Sequence, residues 1–323
     1  MVFDVIIPVY RPDEKLNALI GALVRQLTAP RHIILLVTRD AGKEAEAEAL
    51  AASLRAADDR IRTRILDKAG YDHAGTRNLG VSLMESGADH FLMMTQDAVP
   101  ADDHLTEKLA EAFEDEKVAV AYARQLADRD APIPEKCARR FNYPAESGRK
   151  TIADLPKLGI KTYFCSNVCA MYRKDVFDET GGFEAPAIFN EDMVYAARVM
   201  KKGYAVVYEA RAQVTHTHRY SLKTQYLRSF DNGASQAIHA DVFSGIRTED
   251  EGSRYVRETV RTLMRVRQSN RIPYFLLQCA CRYLGFRKGK RFEHLSLQQR
   301  KRCSLNAAYW ERVAANEDAT SWN

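Results

Sequence analysis

Long apolar runs are missing from this 323-residue chain, and no window approaches 18 uninterrupted apolar residues. A membrane-spanning helix is therefore not expected. Residues 5–9 are apolar but too few for the core of a secretory leader, and Asp4 stands directly before them. Cysteine is scarce, at six: Cys137, Cys165, Cys169, Cys279, Cys281 and Cys303. Without a leader they are expected to be reduced thiols of a cytoplasmic protein. Cys165-x3-Cys169 and Cys279-x-Cys281 lack a second Cys or His pair at zinc-ribbon spacing, so buried small apolar side chains are the expectation. Sixteen glycines and ten prolines are too few for a collagen-like or low-complexity chain.

What the chain does have is an ordinary globular composition and a regular alternation. Residues 3–9, 33–37, 61–66, 90–94 and 118–123 read as strands rich in Val, Ile and Leu. Residues 13–27, 43–57, 74–86 and 104–114 carry helical spacing between them. Leu16, Leu19, Ile20, Leu23 and Leu27 share one helical face. Such alternation predicts βαβ units, a doubly wound and mostly parallel α/β sheet, and a ligand beyond the strand carboxyl ends. Residues 124–160 hold four prolines and little periodicity, and read as an excursion over that face. A strand at 163–172, a helix at 191–202, a strand at 205–208 and helices at 222–239 and 254–269 follow. No internal repeat is found. The length suits a catalytic domain over residues 1–240 with a helical appendage over 241–323.

Five groups of residues could carry chemistry. Pro8-Val9-Tyr10-Arg11, Asp40 and Asp67 close the first three strands. A carboxylate there can accept from a base or ribose, and Tyr10 can lie against a base; ordinary strand-end turns also use these residues. His73, Arg77 and Asn78 open a helix between Gly75 and Gly80. The helix start offers unpaired N–H groups to a diphosphate, and Arg77 a fork of donors. Thr95-Gln96-Asp97 ends an apolar strand before Pro100, where Asp97 either caps a turn or helps to hold a divalent cation. Glu191-Asp192 follow a Gly181-Gly182 turn and open a helix. They suit the helix dipole, and one could act as general base. His216-Thr217-His218 follow a strand, whose alternation would send the two imidazoles to opposite faces, one of them structural.

Together "DVIIPVYRP", "HAGTRNLG", "FLMMTQDAVP", "GGFEAPAIFNEDMVYAARVMKKGY" and "HTHRYSLKTQYLRSFDNG" resemble family-2 glycosyltransferases of the GT-A fold, over roughly residues 3–235. Within that family the likeness is to bacterial rhamnosyltransferases that use dTDP-rhamnose. The resemblance implies inverting single displacement with a divalent cofactor, Mg²⁺ or Mn²⁺. Asp97 matches the last acid of the family's Asp-x-Asp metal motif, and Asp192 the catalytic base. His216 falls where relatives place a metal-binding histidine, with His218 the substitute. Tyr10, Asp40, Arg77 and Asn78 match the nucleotide-contacting loops. Pro8, Arg11, His73, Gln96, Asp97 and Glu191 complete the residues expected to line the nucleotide-sugar site. The usual Asp-x-Asp has become Thr95-Gln96-Asp97, as in the rhamnosyltransferase-like members, which leaves the metal fewer protein ligands. The expected partners are a nucleotide-sugar donor and a glycan or lipid-linked glycan acceptor for surface polysaccharide synthesis. The competing readings are a non-catalytic nucleotide-sugar-binding module and a relative using a UDP-sugar. A nucleotidyltransferase would be expected to carry a Gly-rich basic loop where this chain has "VYRPDEK".

Positive charge is concentrated late. Residues 254–302 hold fourteen Lys/Arg and two Asp/Glu, a local balance of +12 against +5 for the chain. Interleaved with Tyr274, Phe275 and Leu276, this suits peripheral contact with the inner face of the plasma membrane, where a lipid-linked acceptor would lie. A solvated helical face or a homo-oligomer contact fits equally, whereas no base-reading motif accompanies the charge to suggest nucleic acid.

Overall fold

The computed structural model describes residues 1–246 and 249–320. Strands β1 (Phe3–Val9), β2 (Ile33–Arg39) and β3 (Ile61–Asp67) alternate with helices α1 (Glu14–Val24), α2 (Glu44–Ala57) and α3 (His73–Ser82). Next come β4 (His90–Met94), β5 (Val99–Pro100), α4 (Leu105–Glu111) and β6 (Val118–Leu126). The excursion holds α5 (Ile133–Asn142), β7 (Gly148–Lys150) and α6 (Leu155–Leu158). Strand β8 (Cys169–Arg173) leads into α7 (Lys174–Glu179), α8 (Glu191–Lys201) and β9 (Ala205–Thr215).

One mixed sheet runs β3-β2-β1-β4-β8-β6-β9-β5, with β7 paired to β9. The pairings from β3 to β4 are parallel, as the βαβ pattern predicts, and β8 then inserts antiparallel between β4 and β6. Side-chain alternation divides the core between the two faces. Ile6, Leu36, Phe91 and Met93 pack on one face, and Val5, Ile7, Leu35 and Leu92 on the other. Runs buried on both sides explain why these strands are continuous in apolar residues.

Three segments depart from expectation. The strand expected at 163–172 shortens to β8, because the chain before it turns to present Asn167 N–H to the Asp192 carboxylate at 3.0 Å rather than to a ladder. The strand expected at 205–208 continues to Thr215, passing a register shift where Ala123 pairs with Glu209 and Arg124 with Gln213. Residues 124–160 are not an irregular excursion: they contain the end of β6 and α5, whose first turn tolerates Pro134 because no helical partner awaits its missing N–H.

The C-terminal part is helical: α9 (Leu222–Ile238), α10 (Ala240–Phe243), α11 (Glu249–Arg265), α12 (Ile272–Gly289), α13 (Leu297–Cys303) and α14 (Ala307–Thr320). Helices α9 and α12 touch backbone to backbone. A Cβ at Gly289 would collide with the Phe230 carbonyl oxygen, at Gly285 with that of Tyr226, and at Gly233 with that of Phe286. Trp310 and Tyr309 bury against Phe230, which draws α14 onto the same unit. Cys137, Cys165, Cys169 and Cys303 are buried and Cys279 and Cys281 half-buried, all as free thiols.

Candidate active site

The carboxyl ends of β1, β2 and β4 gather as the open-sheet rule requires. Gln96 ties the end of β4 to that of β1, its Oε1 accepting from Tyr10 N–H (2.8 Å) and its Nε2 donating to Tyr10 C=O (3.0 Å). Pro8 lies in β1 in register with Leu36 and shapes the strand rather than offering a polar contact. Tyr10 Oη donates to Asp40 (3.0 Å), which also pairs with Arg11 at 2.7 Å and Lys68 at 3.3 Å. The Arg11 hydrogen bond, against weak desolvation, holds the Asp40 carboxyl below its ordinary range.

Asp97, His216 and His218 converge, with one ligand atom from each lying within 4.8 Å of the others. His216 Nε2 stands 3.4 Å from Asp97 Oδ1, and His218 Nδ1 3.6 Å from Oδ2. The expectation that the imidazoles diverge is corrected here. Strand β9 ends at Thr215, so the period-two alternation stops before His216, and the two rings meet edge to face at 4.3 Å. Gln125 Oε1, which also receives Arg139, accepts from His216 Nδ1 at 2.9 Å. That tautomer leaves Nε2 as a buried lone pair without a hydrogen-bond partner, as a metal ligand needs. Burial lowers both imidazole pKa values, that of His218 to about 3, so both rings are neutral. Asp97 lies below the ordinary carboxylate range even though burial opposes its ionisation. One hard oxygen and two neutral nitrogens fit Mg²⁺ or Mn²⁺.

Asp192 sits at the start of α8, half-buried. Its oxygens accept from Asn167 N–H (3.0 Å) and Met193 N–H (2.8 Å), and among the described residues it forms no ion pair. Burial, then the neighbouring Glu191 charge, pushes its pKa up to about 7. Glu191 is the partnered acid: Arg77 lies 3.2 Å from it, and Asn167 Nδ2 donates to it at 3.1 Å. Thr95 N–H donates to Val168 C=O (3.2 Å), one residue beyond Asn167, so Asp97 and Asp192 flank the same edge.

The α3 start differs from expectation. Its N–H groups are not open to a diphosphate, because Asp72 Oδ1 takes those of Ala74 (3.0 Å) and Gly75 (2.8 Å). Arg77 is buried against Glu191 and donates to the His73 carbonyl at 2.9 Å, so its fork faces inward. Asn78 spends both ends of its amide on the Phe183 backbone (2.8 and 3.0 Å), holding the Gly181-Gly182 turn. Gly182 has φ +71° and lies against that amide, so no side chain fits there. His73 lies 3.3 Å from Tyr71 Oη and reaches a cavity of about 490 Å³. Tyr10, Thr38, Lys68, Phe189 and Arg228 also line that cavity, and residues 305–308 close it. A second groove, of about 940 Å³, begins at His218 and runs between α5 and α12 past Tyr220, Arg228, Tyr274 and Arg282. Sequence reading missed Lys68, Asn167 and Arg228. Arg228 stands in the quoted "HTHRYSLKTQYLRSFDNG", eight residues past Tyr220, but nothing local marks it as bordering both cavities.

An open α/β sheet with an acid–histidine cluster and a raised carboxylate at its strand ends, roofed by helices, has the GT-A architecture. Two solved structures share it: S. aureus TarS residues 1–349 (TM-score 0.54, 13% identity, 95% of this chain and 79% of that one) and the mannosyltransferase PcManGT from Pyrobaculum calidifontis (TM-score 0.54, 11% identity, 99% and 80%). The family model for glycosyl transferase family 2 matches residues 4–181. The O-antigen chain rhamnosyltransferase RfbN of Salmonella typhimurium is 35% identical over 317 residues, 97% of each chain. WbaN of Salmonella anatum, of the same description, is 31% identical over 315 residues, 96% of each. The chain belongs to glycosyltransferase family 2 and is a glycosyltransferase.

Proposed function

We propose that this enzyme transfers rhamnose from dTDP-rhamnose, with inversion, to a hydroxyl of a glycan or lipid-linked glycan in surface polysaccharide synthesis. The observation that carries the chemistry is Asp192, a half-buried carboxylate that forms no ion pair among the described residues and whose pKa of about 7 suits a general base. The descriptions of the two Salmonella relatives support the sugar and the setting.

Asp192 takes the proton of the acceptor hydroxyl as that oxygen attacks the anomeric carbon on the face opposite the nucleotide. The new C–O bond forms, the bond to the diphosphate oxygen breaks, and the nucleoside diphosphate leaves with that electron pair. Asn167 and Met193 N–H groups hold the carboxylate in place while it receives the proton. Asp97, His216 and His218 would hold Mg²⁺ or Mn²⁺, which when bound offsets the negative charge growing on the departing diphosphate. The cavity beside Tyr10 suits the donor nucleotide, and the groove past Tyr220 the acceptor. Regions 1–240 and 241–323 then act as one catalytic unit, since both supply walls of these cavities. Exposed Tyr274, Leu277, Tyr283 and Leu284 on α12, beside exposed arginines, support peripheral contact with an anionic membrane rather than an oligomer interface. No helix among the described residues is long and apolar enough to cross a membrane.

The test is Asp192→Asn, assayed for nucleotide release and glycan product. A folded variant with turnover lowered about 10²–10⁴-fold is the expected result; near wild-type turnover removes Asp192 from the role.

A further inference from the structure

Three residues that line the Tyr10 cavity each carry a buried polar atom without a hydrogen-bond partner among the described residues: Thr38 Oγ1, Asp231 Oδ1 and Asn306 Nδ2. Buried polar groups are almost always paired, so three orphans around one cavity point to a ligand that satisfies them. Asp231 is 3% exposed and Thr38 7%. The Asp231 and Asn306 side chains are each fixed by the opposite end. Asp231 Oδ2 accepts from Leu305 N–H at 2.9 Å, and Asn306 Oδ1 accepts from Tyr309 N–H at 3.1 Å. What remains is one carboxylate oxygen seeking a donor and one amide N–H₂ seeking an acceptor, on residues that line a cavity with Tyr10, Tyr71 and Phe189.

That pair complements a ring edge carrying N–H beside C=O. Thymine and uracil present it at N3–H, and guanine at N1–H and O6. Adenine and cytosine offer a donor and an acceptor in another form, an exocyclic N–H₂ beside a bare ring nitrogen, whereas methylation of thymine at N3 removes the donor that Asp231 needs. Asp40, at the end of β2, is already engaged by Tyr10, Arg11 and Lys68.

We propose that the base of the donor nucleotide is read through its N–H/C=O edge by Asp231 on α9 and Asn306 before α14, so that the C-terminal segment completes the nucleotide subsite. The proposal rests on the reading of the chain as a nucleotide-sugar transferase and names residues that hold the donor's base. Arg312 fastens the same segment to the front of the sheet, donating to Ala69 C=O (3.2 Å) and Tyr71 C=O (2.9 Å), across more than 240 residues of sequence.

The experiment is calorimetric titration of the full chain with dTDP and N3-methyl-dTDP in the presence of Mn²⁺. It uses wild type, Asn306→Ala and Asp231→Asn, with thermal midpoints as the folding control. Wild type is expected to bind dTDP at least about 10-fold more tightly than N3-methyl-dTDP. Asn306→Ala is expected to weaken dTDP about 10-fold, and Asp231→Asn about 10- to 100-fold with loss of the penalty for N3-methylation. If Asp231→Asn does not fold, Asn306→Ala and the N3-methyl ligand on wild type carry the test. Equal dTDP affinity in wild type and variants, or indifference of wild type to N3-methylation, overturns the subsite and leaves the transferase reading standing. Wild type that binds no nucleoside diphosphate overturns both.

Discussion

Two adjacent acids at the start of α8 have opposite electrostatic fates. Glu191 faces Arg77 and Asn167, which outweigh its burial and keep it ionised. Among the described residues Asp192 accepts from the backbone of Asn167 and Met193, and burial plus the Glu191 charge raise its pKa to about 7. A base must be unprotonated to act, so turnover should climb as pH rises through about 7 and level off above it. A pH–rate profile on saturating donor checks this; a profile flat from pH 5 to 9 contradicts it. The imidazoles make a second residue-scale claim. His216→Ala removes the buried Nε2 lone pair opposite Asp97, so stimulation by Mn²⁺ should vanish, with apparent metal affinity falling about 10-fold or more. Metal titrations of activity and of heat both read it. Asp97, Asp192 and the His-x-His pair were legible in the sequence because each stands at a strand end or helix start, where a short motif is its own context. The inward-facing roles of Arg77 and Asn78 were not, since the groups that claim them lie more than 100 residues away.

At the scale of elements, the clearest constraint is the α9–α12 contact. Gly289→Ala sets a methyl group against the Phe230 backbone, which has no side-chain freedom with which to yield. It should cost about 1–3 kcal/mol in chemical denaturation, as overpacking does. Gly252→Ala, with open space around its Cβ position, should not destabilise the protein and serves as the control. Strands β1 to β4 were legible because burial on both faces makes them unbroken apolar runs. Helix α12 was not, because it carries apolar residues on both its faces. Phe275 is buried while Tyr274, Leu276, Leu277, Tyr283 and Leu284 are exposed, so no helical period emerges. The turn at Ser166–Asn167 was hidden for a different reason: its partner is a carboxylate on α8, not a strand.

For the whole molecule, the concentration of positive charge in the same helices that expose apolar side chains predicts salt-sensitive flotation with anionic vesicles. Flotation absent at low salt removes membrane contact from the account. The same helices wall the groove past Tyr220 through Tyr255, Arg271, Tyr274 and Arg282. The central claim is the donor. It is tested most directly by calorimetric titration with dTDP-rhamnose, UDP-glucose, UDP-galactose and GDP-mannose, each with and without Mn²⁺. Selective binding of dTDP-rhamnose, strengthened by the metal, is the expected result. Preference for another of the four, or binding of none, contradicts it.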